Sequence, residues 1–137
     1  MTLSPFHDPS SPVVLCVDDD PDNLSLLRTA LWDTGYTFVG AACGEDCLRI
    51  VERCSPHLIL LNVEMPGLGG VETCRRLRES PALKTTPIAF LTTQEMRAGV
   101  TKGLALGGND FVVKPIHGEA LLQRVAYWTS DRDGIAA

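Results

Sequence analysis

A doubly wound α/β domain, with one five-stranded parallel sheet covered by helices on both faces, is what this sequence predicts. Three observations carry the prediction. Short apolar runs of strand length recur five times, an amphipathic segment follows each, and polar residues gather where each run ends. Short apolar strands alternating with helices imply parallel strands buried on both faces, and right-handed crossovers place the helices in two layers.

The first residues, 1–12, carry Ser, Pro and Asp without periodicity and read as a loose tail. The domain is expected over 13–130, with 131–137 as a short C-terminal tail. "VVLCV" (13–17) is apolar and mostly β-branched, a buried strand that meets water at Asp18, Asp19 and Asp20. Asp20 can cap the first helix with Pro21 at its first position; Leu24, Leu27 and Leu31 recur at helical spacing, and Gly35 is expected to end it. "YTFVGA" (36–41) is the second strand. "GEDCLRIVERC" (44–54) is the second helix, expected to bury Cys47, Leu48, Val51 and Cys54. "HLILLN" (57–62) is the third strand, leading through a Pro/Gly-rich loop to a helix near "VETCRRLRE" (71–79). After a turn at Ser80–Pro81 come the strand "PIAFLTT" (87–93) and a helix from Gln94 to Leu106. Gly99 and Gly103 each cost that helix about 1 kcal/mol relative to Ala. Either it packs closely on the sheet there or it is a mobile signalling face. "DFVVKP" (110–115) is the last strand and "GEALLQRVAYW" (118–128) the last helix, with Leu121, Leu122, Val125 and Trp128 inward or at an edge.

Composition excludes several functions. Of 137 residues, 45% are hydrophobic and 21% charged, an ordinary globular balance. No run approaches the roughly 18 apolar residues that span a bilayer. "MTLSPFHDPSSP" has no basic region followed by an apolar run, so a cytoplasmic protein is expected. The net charge of −5 argues against direct nucleic-acid binding, and Arg75, Arg76 and Arg78 read as a solvated helix face. Cys16, Cys43, Cys47, Cys54 and Cys74 are odd in number and form no CxxC pair, which favours reduced core thiols over disulfides or zinc. Cys43 and Cys47 could share a helix face, so a redox sensor is one alternative. His57 and His117 have no metal-ligand spacing and read as incidental surface or strand-edge residues.

In open α/β sheets, ligands bind beyond the carboxyl ends of the strands. This sequence places Asp18, Asp19 and Asp20 there, with Asn62, Thr92, Thr93 and Lys114. Carboxylates, a hydroxyl and a lysine at one edge suit a hard cation and a phosphoryl group.

Through "VDDDP" (17–21), "PHLILLNVEMPG" (56–67), "PIAFLTT" (87–93) and "GGNDFVVKPI" (107–116), the sequence resembles the receiver domains of bacterial response regulators over residues 12–130. The resemblance implies a flavodoxin-like (βα)5 fold, a three-layer α/β/α sandwich. It implies that Asp18 and Asp19 form the acidic pair for Mg2+. Thr92 would be the switch hydroxyl, Lys114 the phosphoryl-sensing lysine and Phe111 the aromatic switch residue. The family's nucleophilic aspartate falls on Asn62.

An ionised carboxylate attacks phosphorus; a neutral amide, its nitrogen lone pair delocalised, does not. Asn62 therefore marks a vestigial phosphoacceptor position, and no catalytic residue is expected. A neutral oxygen beside Asp18 and Asp19 should leave Mg2+ weakly bound at best, with no cofactor required. Gly69, where the family commonly has Asp, and Thr93, where it has a smaller residue, depart in the same direction. Glu64 could swing over the pocket and restore the missing charge, although a solvent-facing side chain is the simpler expectation. The expected protein is thus a non-enzymatic pseudo-receiver, a phosphorylation-independent interaction module. Its signalling partner would bind the face of the fourth helix, fifth strand and fifth helix, with Tyr127 and Trp128 as candidate anchors. A homodimer is an alternative, and no membrane contact is expected. The competing functions are a phosphoacceptor receiver whose Asn62 is an engineered replacement of aspartate, and a redox or small-molecule sensor.

Overall fold

The computed structural model describes residues 11–93, 95 and 97–130. Residues 1–10 of the tail expected over 1–12, the expected C-terminal tail at 131–137, and the expected start of the fourth helix at Gln94 lie outside the described residues. Within them the elements run β1 (Val13–Val17), α1 (Pro21–Leu31), β2 (Thr37–Ala41), α2 (Gly44–Ile50), β3 (Leu58–Asn62), α3 (Gly70–Leu77), β4 (Ile88–Thr92), α4 (Arg97–Ala105), β5 (Asp110–Val113) and α5 (Gly118–Thr129). The strands form one parallel sheet in the order β2-β1-β3-β4-β5, the flavodoxin-like doubly wound arrangement.

The alternation of strand side chains divides the core in two. Leu15, Val17, Ile59, Leu61, Ile88 and Phe90 pack on one face with Cys47, Cys74, Leu77 and Val100 from α2, α3 and α4. Val14, Cys16, Leu58, Leu60, Ala89 and Leu91 pack on the other with Leu27, Leu31, Leu121 and Val125 from α1 and α5. Every residue of β3 and β4 is buried, which is why those runs read as unbroken hydrophobic stretches.

Several ends differ from the sequence expectation. Asp20 does cap α1, its side chain accepting from the Asp22 N–H with Pro21 at the first helical position. Yet the helix stops at Leu31, and Gly35 is not its terminus. The chain reverses through Asp33 and Gly35, both at positive φ, and Gly35 sits at +90°, a conformation only glycine adopts freely. Helix α2 ends at Ile50, one turn short of Cys54. Gly44, Cys47 and Ile50 are its buried residues, whereas Leu48, Val51 and Cys54 are half-buried at the edge of the core. The Ser80–Pro81 turn is a single 3-10 turn over Pro81–Leu83, with Leu83 buried. Both glycines of α4 support close packing. A Cβ on Gly103 would lie 2.5 Å from the Phe90 ring, and one on Gly99 would lie 3.0 Å from Val63.

Candidate functional site

Parallel register assembles the site. Val17 pairs with Leu61 and Thr92 with Val113, so Asp18, Asn62 and Lys114 leave the sheet side by side. The Lys114 N–H donates to the Thr92 carbonyl at 2.6 Å, and Lys114 precedes a cis Pro115. These strand ends border a cleft of about 450 Å3 that also takes in Asp19, Asp20, Asn23, Glu64, Thr93 and Glu95.

Asp18 is fully buried and Lys114 is 17% exposed. The Lys114 ammonium donates to Asp18 Oδ2 at 3.0 Å and to Asn62 Oδ1 at 3.0 Å. Asp18 Oδ1 accepts from the Asp20 N–H at 3.0 Å, which fixes the turn into α1. Asn62 has the reverse orientation from the sequence expectation. Its NH2, not its oxygen, faces the acidic pair, donating to Asp18 Oδ1 at 3.3 Å, Asp19 Oδ1 at 3.1 Å and the Glu64 carbonyl at 2.9 Å. The orientation follows from donor–acceptor matching: carboxylates only accept and ammonium only donates, so the amide turns each end to its complement.

The other expected residues fall as follows. Thr92 is buried and lines the cleft, its hydroxyl donating to the Thr93 carbonyl at 3.2 Å. Phe111 lies away from the cleft, half-buried against the α2–α3–α4 core. Glu64 is exposed, and only its backbone carbonyl joins the Asn62 network. Asp18 and Asp19 are oxygen donors of the kind Mg2+ takes. With an amide N–H2 between them and an ammonium on Asp18, the set as arranged does not fit a dication. Among the described residues, no group of three or more His, Cys, Asp or Glu is placed to hold a metal.

On the expected output face, Trp128 is not a free anchor. Its indole N–H donates to Asp110 Oδ2 at 2.7 Å, Arg124 donates to Asp110 Oδ1 at 2.5 Å, and Tyr127 packs edge-on against the Trp128 ring at 5.0 Å. Tyr127 is 53% exposed. Burial works to raise the Asp110 pKa, but hydrogen bonds from Arg124, Trp128 and the Phe111 N–H outweigh it and hold the carboxyl below its ordinary value.

Sequence reasoning missed the structural roles of Arg78 and His57. Arg75 and Arg76 pair with Glu72 on the surface as a solvated face would, and with the two guanidinium groups on it the Glu72 carboxyl falls to about 2. Arg78 does not belong to that face. It donates to the carbonyls of Leu83, Thr86 and Gly107 and to Asn109 Oδ1, joining the end of α3 to the loops before β4 and β5. Its position at the C-terminal end of a helix, where cations meet carbonyls, was the available signal. His57 is exposed but not idle: its Nδ1 accepts from the Val13 N–H at 2.9 Å and satisfies the start of β1. Burial pushes the Cys47 thiol up to about 12 and raises those of Cys16, Cys54 and Cys74. Cys43 caps α2 with its sulfur, and all five cysteines are free. Burial thus works against reactive thiolates at four of the positions on which a redox sensor would draw.

The response regulator receiver domain family matches residues 14–126. The chain is 38% identical over 114 residues to the transcriptional regulatory protein AfsQ1 of Streptomyces coelicolor, covering 83% of this chain and 49% of that protein. It spans half or less of the length of the curated relatives it matches. Among solved structures, the chemotaxis protein CheY4 of Vibrio cholerae superposes with a TM-score of 0.82 at 30% identity, over 86% of this chain and 98% of that one. The receiver domain of sensor histidine kinase PA1611 from Pseudomonas aeruginosa, solved with a magnesium ion coordinated in its active-site cleft, gives 0.80 at 27% identity over 88% and 98%. No helix among the described residues is long and apolar enough to cross a membrane.

Proposed function

Since this chain belongs to the response regulator receiver domain family, we propose that it is a receiver of two-component signalling that works without phosphorylation at the usual position. The observation that carries this reading is Asn62, an amide at the end of β3 whose two ends are held by Asp18, Asp19 and Lys114. It offers no carboxylate to form an acyl phosphate.

Such a domain signals as a binding surface. Its two surface states are biased by a partner that prefers one of them, with Thr92 and Phe111 as the switch pair. The partner is a signalling protein that docks on α4, β5 and α5, around Lys102 and Tyr127, both exposed. A cytoplasmic setting fits this role.

Incubation with acetyl phosphate and Mg2+ tests the reading directly. The intact mass should stay unchanged, whereas the Asn62→Asp variant should gain one phosphoryl group. A phosphoryl adduct on the unaltered protein, mapped to Asp18, Asp19 or Glu64, would overturn it. On the same reading, Tyr127→Ala and Lys102→Glu, checked for folding by circular dichroism, should lose the partners that the unaltered domain retains from its native lysate.

A further inference from the structure

We infer that the Asn62 carboxamide is a positioning residue that closes this pocket against Mg2+, acting as an internal substitute for the cation. The inference deepens the phosphorylation-independent reading and rests on it. It differs from a pocket that merely has a weak third ligand.

The distinction lies in which end of the amide faces the acids. A neutral oxygen toward Asp18 and Asp19 would be a poor ligand, but a ligand still. Here the nitrogen faces them, 3.3 Å from Asp18 Oδ1 and 3.1 Å from Asp19 Oδ1, so the two carboxylates converge on N–H donors. A dication shared by both acids would have to displace that NH2. Turning the amide over does not resolve the conflict. It would set the NH2 against the Lys114 ammonium, donor against donor, and forfeit the bond to the Glu64 carbonyl at 2.9 Å. Both Asp18 oxygens already have partners, Oδ1 from Asp20 and Asn62 and Oδ2 from Lys114. The amide therefore does for the acidic pair what a bound cation would do: it satisfies them and fixes their spacing.

The two accounts predict opposite signs when the side chain is deleted. If the Asn62 oxygen were a weak ligand, Asn62→Ala would weaken Mg2+ binding. If the NH2 is the obstruction, Asn62→Ala should tighten it, although no charge is added. Calorimetric Mg2+ titration of the unaltered protein, Asn62→Ala and Asn62→Asp should give affinities rising in that order. The first step should be about tenfold, equivalent to about 1.4 kcal/mol. An Asn62→Ala protein that binds Mg2+ no better than the unaltered one overturns the inference. A second measurement reads the site itself. In the 15N-labelled unaltered protein, the Asn62 side-chain amide resonances should barely move at the Mg2+ concentration that half-saturates Asn62→Ala; a shift already half complete at that concentration overturns the closure. Phosphoryl uptake from acetyl phosphate would instead sink the functional reading while leaving the order of the three affinities intact, so the two failures are distinguishable.

Discussion

Asp18 is fully buried, and three donors converge on its side chain, from Asp20, Asn62 and Lys114. Lys114 alone brings compensating charge, so Lys114→Met should leave the carboxylate with hydrogen bonds but no counter-ion. Breaking a buried pair costs about 3–5 kcal/mol; with two donors remaining, a loss of about 2–3 kcal/mol in urea denaturation is expected. A loss under about 1 kcal/mol would mean that water already screens the pair. At this scale the sequence was only half legible. The strand-end positions of Asp18, Asn62 and Lys114 follow from where apolar runs stop, and all three meet. The direction of the Asn62 amide does not follow, because its two ends are nearly isosteric and partners from β1 and β5 choose between them. Arg78 was misread for a related reason: its helix placed it beside two solvated arginines, while the carbonyls that claim it come from loops 5, 8 and 29 residues away.

Among the elements, α4 is where local preference and packing conflict. Ala is the better helix former by about 1 kcal/mol, so propensity alone would have Gly103→Ala stabilise the domain. The Phe90 ring, however, lies 2.5 Å from where that methyl would sit and is itself fully buried. Overpacking of this kind costs about 1–3 kcal/mol, so Gly103→Ala should be destabilising on balance. At Gly99 the nearest atom is a Val63 methyl at 3.0 Å, where a small shift suffices, and Gly99→Ala should fall within about 1 kcal/mol of neutral. Thermal unfolding of both variants tests the pair; a stabilised Gly103→Ala would restore the mobile-face reading of α4. The order of the ten main elements was legible because every strand is a short apolar run and every helix has its own period. The ends were less so. The departure of α1 from helix before Gly35 and the early stop of α2 at Ile50 depend on how the chain turns toward the next strand, which no local pattern records.

For the molecule as a whole, the edge of the sheet matters most, since β5 is half-exposed along its length and carries the face proposed for partners. What ties α5 to that edge is Asp110, which receives Arg124 and the Trp128 indole. The folded pKa of Asp110 is depressed, so its contribution to stability is fully present above the ordinary carboxylate value near 4 and is lost as pH falls through the folded value. Acid should therefore loosen α5 from β5 when the carboxyl takes up its proton, releasing Trp128 from its anchor. The tryptophan emission of a Trp32→Phe background, in which Trp128 is the one remaining indole, should change below about pH 4. Asp110→Asn in that background already lacks the charge. Its emission should resemble the acid form at neutral pH, and the low-pH step should disappear. A step that survived Asp110→Asn would assign the acid response to another carboxylate and detach the partner face from this contact.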